Sequence, residues 1–161
     1  MSVETGRNLS PTPTARATGP GAVIDLTADP MAVRHALARL IGQLDPLGLE
    51  DEELGSIELV TAEALNNIVE HAYRHDPDGP ISLSWSFGAT GLLIKIEDSG
   101  QPIPPDKPPL APTPCAREHA TLVPEGGFGW FLIQGLARNI VYRREQGRNI
   151  LTYRMAVGLD R

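Results

Sequence analysis

The chain has 161 residues, which fits one domain with a respectable core, and hydrophobic residues make up 41% of it. A formal net charge of −6, from 14 lysines and arginines against 20 acids, argues against a general nucleic-acid binder or a protein drawn to anionic membranes. No apolar run approaches a membrane span and no signal peptide opens the chain, while the single Cys115 rules out an internal disulfide and suits a reduced cytoplasm.

Residues 1–20 are rich in Thr, Pro, Gly and Ser and read as a disordered leader, leaving 21–158 as one domain. Ala22 to Leu26 is a short apolar strand. Asp29-Pro30 then starts a helix, with Asp as cap and Pro at the first helical position. Val33, Leu37, Leu40, Ile41 and Leu44 recur at helical spacing until Pro46 to Gly48 stops them. A second helix is expected from about Glu50 to Arg74, with an apolar stripe through Leu54, Ile57, Thr61, Ala64, Leu65, Ile68 and Ala72. Ile81, Leu83, Trp85 and Phe87 alternate with serines as a strand, and Leu92 to Glu97 is its hairpin partner. The proline-laden segment from about 101 to 125 excludes regular structure. A helix follows from Gly126 to about Arg138, with Trp130 and Phe131 assigned to the core. A terminal hairpin, Asn139 to Arg144 and Asn149 to Ala156, turns around Gln146-Gly147-Arg148, and Arg143, Arg144 and Arg148 read as solvated charges. The order β-α-α-β-β-loop-α-β-β predicts an α+β fold with a mostly antiparallel sheet and helices on one face.

Three clusters carry chemistry. Glu63 and Asn67 lie one helical turn apart, so both side chains face one way. A carboxamide oxygen is a neutral ligand for a hard cation, and a carboxylate beside it can orient a nucleophile and accept its proton. Asp98 ends a strand and precedes Ser99-Gly100. An ionised Asp can accept from an exocyclic amine, and Gly100 lets the backbone come close to a flat ring. Gly126-Gly127-Phe128-Gly129 opens a helix, where free N–H groups form an anion site. Neither a P-loop nor a Rossmann glycine pattern is present.

In this order and spacing the clusters resemble those of the bacterial anti-sigma-factor serine/threonine kinases, the small one-domain branch of the GHKL ATPases. Glu63-Ala64-Leu65-Asn66-Asn67-Ile68-Val69-Glu70-His71-Ala72-Tyr73 is similar to the family's N-box. Ile96-Glu97-Asp98-Ser99-Gly100-Gln101-Pro102 is similar to its first glycine box, and Gly126 to Ile133 to its second. Gly147-Arg148-Asn149-Ile150-Leu151-Thr152 is similar to its closing strand.

The resemblance implies the Bergerat two-layer α/β sandwich, with a mixed, mostly antiparallel sheet. It implies ATP and Mg2+ as cofactors, with Glu63 as catalytic base and Asn67 as magnesium ligand. Asp98 would read the adenine with Gly100 beside it, Gly127 and Gly129 would form the phosphate-binding turn, and Pro102, Gly126 and Phe128 would join them in the ATP site. Thr152 would complete the ATP site from the closing strand. Residues 101–125 would form the ATP lid, with Lys107 and Arg117 as candidates to reach the terminal phosphate. His71 would pack or hydrogen-bond beside the site. The implied function is an anti-sigma factor that phosphorylates a serine or threonine of an anti-anti-sigma STAS partner. A homodimer, and a sigma factor as second partner, go with it. The alternatives are a non-catalytic ATP-binding interaction module and a stand-alone histidine-kinase-like ATPase domain.

Overall fold

A computed structural model describes residues 21–110 and 128–158. The leader, Cys115, Arg117 and the first two glycines of the 126–129 cluster fall outside these residues.

Helix α1 (Pro30–Leu44) begins as its sequence dictates: Asp29 accepts from the Met31 N–H at 3.0 Å, with Pro30 in the first turn. It runs into a short 3-10 turn, and Gly48 reverses the chain at φ 78°. Helix α2 (Asp51–Asn67) opens with a reciprocal capping box between Glu50 and Glu53, and its first turn carries Asp51, Glu52 and Glu53, which suit the positive end of the helix dipole. The Glu53 carboxylate also accepts from the Gly158 N–H at 2.8 Å, fastening the chain's C-terminal stretch to the start of α2.

The five strands are β1 (Ala22–Thr27), β2 (Pro80–Gly88), β3 (Gly91–Asp98), β4 (Arg138–Glu145) and β5 (Arg148–Met155). They form one sheet in the order β1-β2-β3-β5-β4, and every neighbouring pair is antiparallel. The fold is thus α+β, as expected. The β4–β5 turn is two residues, Gln146 at φ 50° and Gly147 at φ 76°. Positive φ at both centres matches the twist of the flanking strands.

The period of two decides which face is covered. Ile81, Leu83, Trp85 and Phe87 point inward, and pairing places Ile94, Ile96, Leu151, Tyr153 and Ile24 on the same face. Against it pack Val33, Leu37, Leu40 and Leu44 of α1, Ile57, Val60, Ala64 and Leu65 of α2, and Trp130 and Ile133 of helix α3 (Phe128–Leu136). The opposite face is largely polar: Lys95 and Arg148 both meet Glu97, at 3.3 and 3.4 Å.

The structure departs from the predicted elements in two places. The helix expected to reach Arg74 is α-helical only to Asn67. Residues Ile68–Ala72 form a π-helical turn, and the chain reverses at Arg74 and His75, both at positive φ. A π turn adds a residue to the loop of each hydrogen bond, so the 3.6-residue stripe does not continue through it. Phe131 is 44% exposed rather than core. It lies about 100° around α3 from Trp130, so only one of the two can face the sheet.

One buried polar pair holds helix to sheet. The hydroxyls of Thr61 on α2 and Tyr153 on β5 lie 2.9 Å apart, both residues fully buried. Burial pushes the Tyr153 phenol far above its usual range, so it remains neutral. Thr61→Val should cost about 1–3 kcal/mol, because it strands the Tyr153 hydroxyl in an apolar core. The double change Thr61→Val with Tyr153→Phe should recover most of that loss. Urea unfolding of the four proteins checks both; a double variant as unstable as the sum of the singles would be contrary to this account.

Candidate functional site

Glu63 and Asn67 occupy the last turn of α2, both half-buried. What brings them against a second element is the absence of a side chain at Gly129 on α3. A Cβ on Gly129 would fall 2.8 Å from Glu63 Oε2 and 3.5–3.6 Å from both ends of the Asn67 amide. The first turn of α3 therefore lies against this carboxylate–carboxamide pair. Asn67 Nδ2 is buried and has no hydrogen-bond partner among the described residues. A buried amide left unpaired is costly and rare. Here it sits beside a carboxylate at a helix start, where the N–H groups carry partial positive charge. A polar or charged ligand, or a cation once the amide turns its oxygen outward, would complete it.

Asp98 stands at the end of β3, on the helix-facing side, and is only 6% exposed. Its neighbour Glu97 points to the other face, so only one of the two adjacent acids belongs to the site. The Asp98 Oδ1 atom accepts from the Gly100 N–H at 2.9 Å and from Asn149 Nδ2 at 2.8 Å. Both contacts fall on one oxygen, and Oδ2 is left as an acceptor. Burial pushes the Asp98 carboxyl above the usual range. The Asn149 hydrogen bond, the Gly100 N–H and the charge of Arg144 pull it back, in that order.

Gly100 has a role beyond the one read from the sequence. A Cβ there would lie 2.6 Å from the carbonyl oxygen of Ala72 and 2.7 Å from its carbon. Only glycine lets the end of β3 lie against the end of the π-helical turn, where the Gln101 N–H donates to Ala72 O at 2.8 Å. Tyr73, next in the chain, accepts from the Ser99 N–H at 2.8 Å and donates to Pro80 O at 2.6 Å. The chain that leaves α2 and the end of β3 are thereby tied together.

Pro102 follows this contact and is exposed. Lys107 is exposed in a turn, its N–H donating to Pro104 O at 3.0 Å. Phe128 begins α3. Gly126 and Gly127 lie outside the described residues, as does Arg117. His71 is exposed, 3.9 Å from Glu70.

Thr152 does not join the others. It pairs with Lys95 on β3, and the pleat sends both to the sheet face opposite Asp98. The β5 residue opposite Asp98 is Asn149, three positions earlier. Its carboxamide is 3% exposed and forms a hub. Oδ1 accepts from Tyr142 Oη at 2.8 Å and Arg144 Nη1 at 2.6 Å. Nδ2 donates to Asp98 Oδ1, to Gly100 O at 3.2 Å and to Gln101 O at 3.1 Å. Tyr142 Oη accepts from the Ile103 N–H at 2.9 Å, and Arg144 also donates to Gly100 O at 3.0 Å. Arg144 is therefore not a free solvated charge. Sequence reasoning missed Asn149, because the pairing that brings it to Asp98 joins β3 and β5, which are neighbours in the sheet but not consecutive in the chain. A cleft of about 480 Å³ between β1 and α1, lined by Asp25, His35 and Arg39 among others, includes none of these residues.

Residues 26–155 match the family described as histidine kinase-like ATPase domain. The serine-protein kinase RsbW of Oceanobacillus iheyensis is 28% identical over 77% of this chain and 79% of its own length. The anti-sigma F factor of Geobacillus stearothermophilus is 28% identical over 74% of this chain and 78% of its own. Among solved structures, that of the RsbU and RsbW domains of a Mycobacterium tuberculosis protein superposes with a TM-score of 0.61 at 21% identity. That superposition covers 88% of this chain and 34% of the other, and it shows the fold.

A pH dependence follows from Asp98. Its folded pKa is raised, so its contribution to stability is present below the unfolded carboxylate range and is lost as pH rises through the folded value. Asp98→Asn should thus gain stability relative to the parent at neutral pH, and that gain should shrink as the pH falls toward 4. Thermal melts of both proteins across the range test this; a gap that widens on acidification contradicts it.

Proposed function

The chain belongs to the histidine kinase-like ATPase domain family, and on that premise we propose that it is an ATP-dependent anti-sigma factor with serine/threonine kinase activity toward an anti-anti-sigma partner of the STAS type. The observation that carries this reading is the approach of α3 to Glu63 and Asn67 through Gly129. It puts a carboxylate, a carboxamide whose Nδ2 has no partner among the described residues, and a helix start within reach of one small volume. The relatives named serine-protein kinase and anti-sigma F factor support the same reading.

In this proposal Asp98 Oδ2 accepts from the exocyclic amine of adenine, and the first turn of α3, with Gly126 and Gly127, receives the phosphates. Asn67 would hold a magnesium ion, which when bound neutralises phosphate charge. Glu63 orients the partner's hydroxyl and takes its proton. The hydroxyl oxygen bonds to the γ-phosphorus, the bond from that phosphorus to the β–γ bridging oxygen breaks, and ADP leaves. The added phosphate changes the charge of the partner's docking surface, which releases it and frees the kinase for a sigma factor. The edge strand β1, with Val23 61% exposed on the sheet face away from the helices, and Met31 on α1, 53% exposed, offer surface for self-association. The segment 101–125 serves as the lid, with Lys107 and Arg117 as its candidate cations.

The test is phosphotransfer from labelled ATP to a candidate STAS protein. Glu63→Ala should lower transfer by about 10²–10⁴-fold while adenine nucleotide binding persists. Undiminished transfer would remove Glu63 from the chemistry, and a stable unlabelled complex would mark a nucleotide-sensing module instead. Chelating divalent ions should abolish transfer; full activity without them would remove the role given to Asn67.

A further inference from the structure

The best-connected polar group near Asp98 is one that the proposed chemistry does not use. Asn149 is only 3% exposed, and its amide joins β5 to β3, to β4 and to the chain after β3. We infer that Asn149 and Arg144 are positioning residues for Asp98: together they fix which carboxylate oxygen faces the base and keep the group a charged acceptor. The inference rests on the reading of Asp98 as the adenine-binding acid.

The geometry gives each a distinct part. Asn149 Nδ2 occupies Oδ1 together with the Gly100 N–H, so the carboxylate cannot rotate without breaking two hydrogen bonds. Arg144 donates to the far end of the same amide at 2.6 Å. Donation of an ionised group to the amide oxygen polarises the amide and strengthens what its N–H gives to Asp98. Arg144 also donates to Gly100 O, which holds its charge in place beside the buried acid.

Among the described residues, the groups around Asp98 are few. From β4 come Arg144, the cation, and the Tyr142 hydroxyl; β5 supplies Asn149, which does not titrate. From the chain after the π-helical turn comes Tyr73. Burial, with the charges of Asp98 and Asp76, outweighs its bond to Ser99 and raises its hydroxyl above the usual range, so it stays neutral at physiological pH. Burial alone would favour a protonated Asp98, and a protonated acid presents a donor where an acceptor is needed. The Asn149 bond and the Arg144 charge act in the opposite direction.

The experiment follows the Asp98 carboxyl carbon by NMR as pH is varied, in the free protein and in Arg144→Gln, Arg144→Lys and Asn149→Ala, with ADP affinity measured by calorimetry at the same pH values. Arg144→Gln should move the Asp98 midpoint to higher pH. The pH at which ADP affinity falls on acidification should move with it, and Arg144→Lys should restore both. Asn149→Ala should shift the midpoint the same way and weaken ADP about tenfold even where Asp98 is ionised. A residue that merely closed the hairpin would change stability and leave the midpoint where it was, and an unmoved midpoint in Arg144→Gln overturns the inference. Should Asn149→Ala fail to fold, Arg144→Gln decides alone, since that side chain is exposed. A parent protein that binds no ADP at any pH would sink the adenine reading. The carboxyl titration would still decide what Arg144 does to Asp98.

Discussion

The site depends on α2 lying on the sheet in one register. Glu63 and Asn67 ride on its last turn, whereas Asp98 belongs to β3, and nothing local connects them. Apolar packing alone would tolerate a helix that slides or rolls, because dispersion contacts are individually weak and non-directional. The Thr61–Tyr153 hydrogen bond is directional and fully buried. It lies two residues before Glu63, so the placement of the Glu63 carboxylate inherits the precision of that bond.

The chain then changes its helical period as soon as Asn67 has been placed. The π-helical turn carries the backbone round so that Ala72 meets Gly100 and Tyr73 meets Ser99. An ideal helix continued to Arg74 would have no reason to bring its end beside β3. Departures from regular helix of this kind are often found at functional sites. Here the departure joins two motifs that are some thirty residues apart in the sequence.

Much of this was legible beforehand. The strand alternation from Ile81 to Phe87, the Asp29-Pro30 helix start and the order of elements all follow from local patterns, and the structure has them. The placement of Glu63, Asn67 and Gly129 together also agrees with the spacing of the motifs. What was not legible depended on register or on rotation. Thr152 lies at a plausible place along the closing strand, yet it is three positions from Asn149, an odd step, and the pleat turns it to the far face. Phe131 follows Trp130 in the sequence but not in orientation. Arg144 looks like one more exposed charge until β4 is laid beside β5 and its guanidinium reaches Asn149.

The Asn149 amide is used to capacity: its oxygen accepts twice, and its two hydrogens are shared among three acceptors. Aspartate at that place would lose every donor, and a hydroxyl residue would leave several partners unanswered. Positions 98, 142, 144 and 149 therefore share one set of hydrogen bonds, and groups that share partners do not contribute independently. A change at one of the four alters what is acceptable at the other three. Over evolutionary time such a quartet is expected to vary as a block, with its members' histories correlated rather than separate.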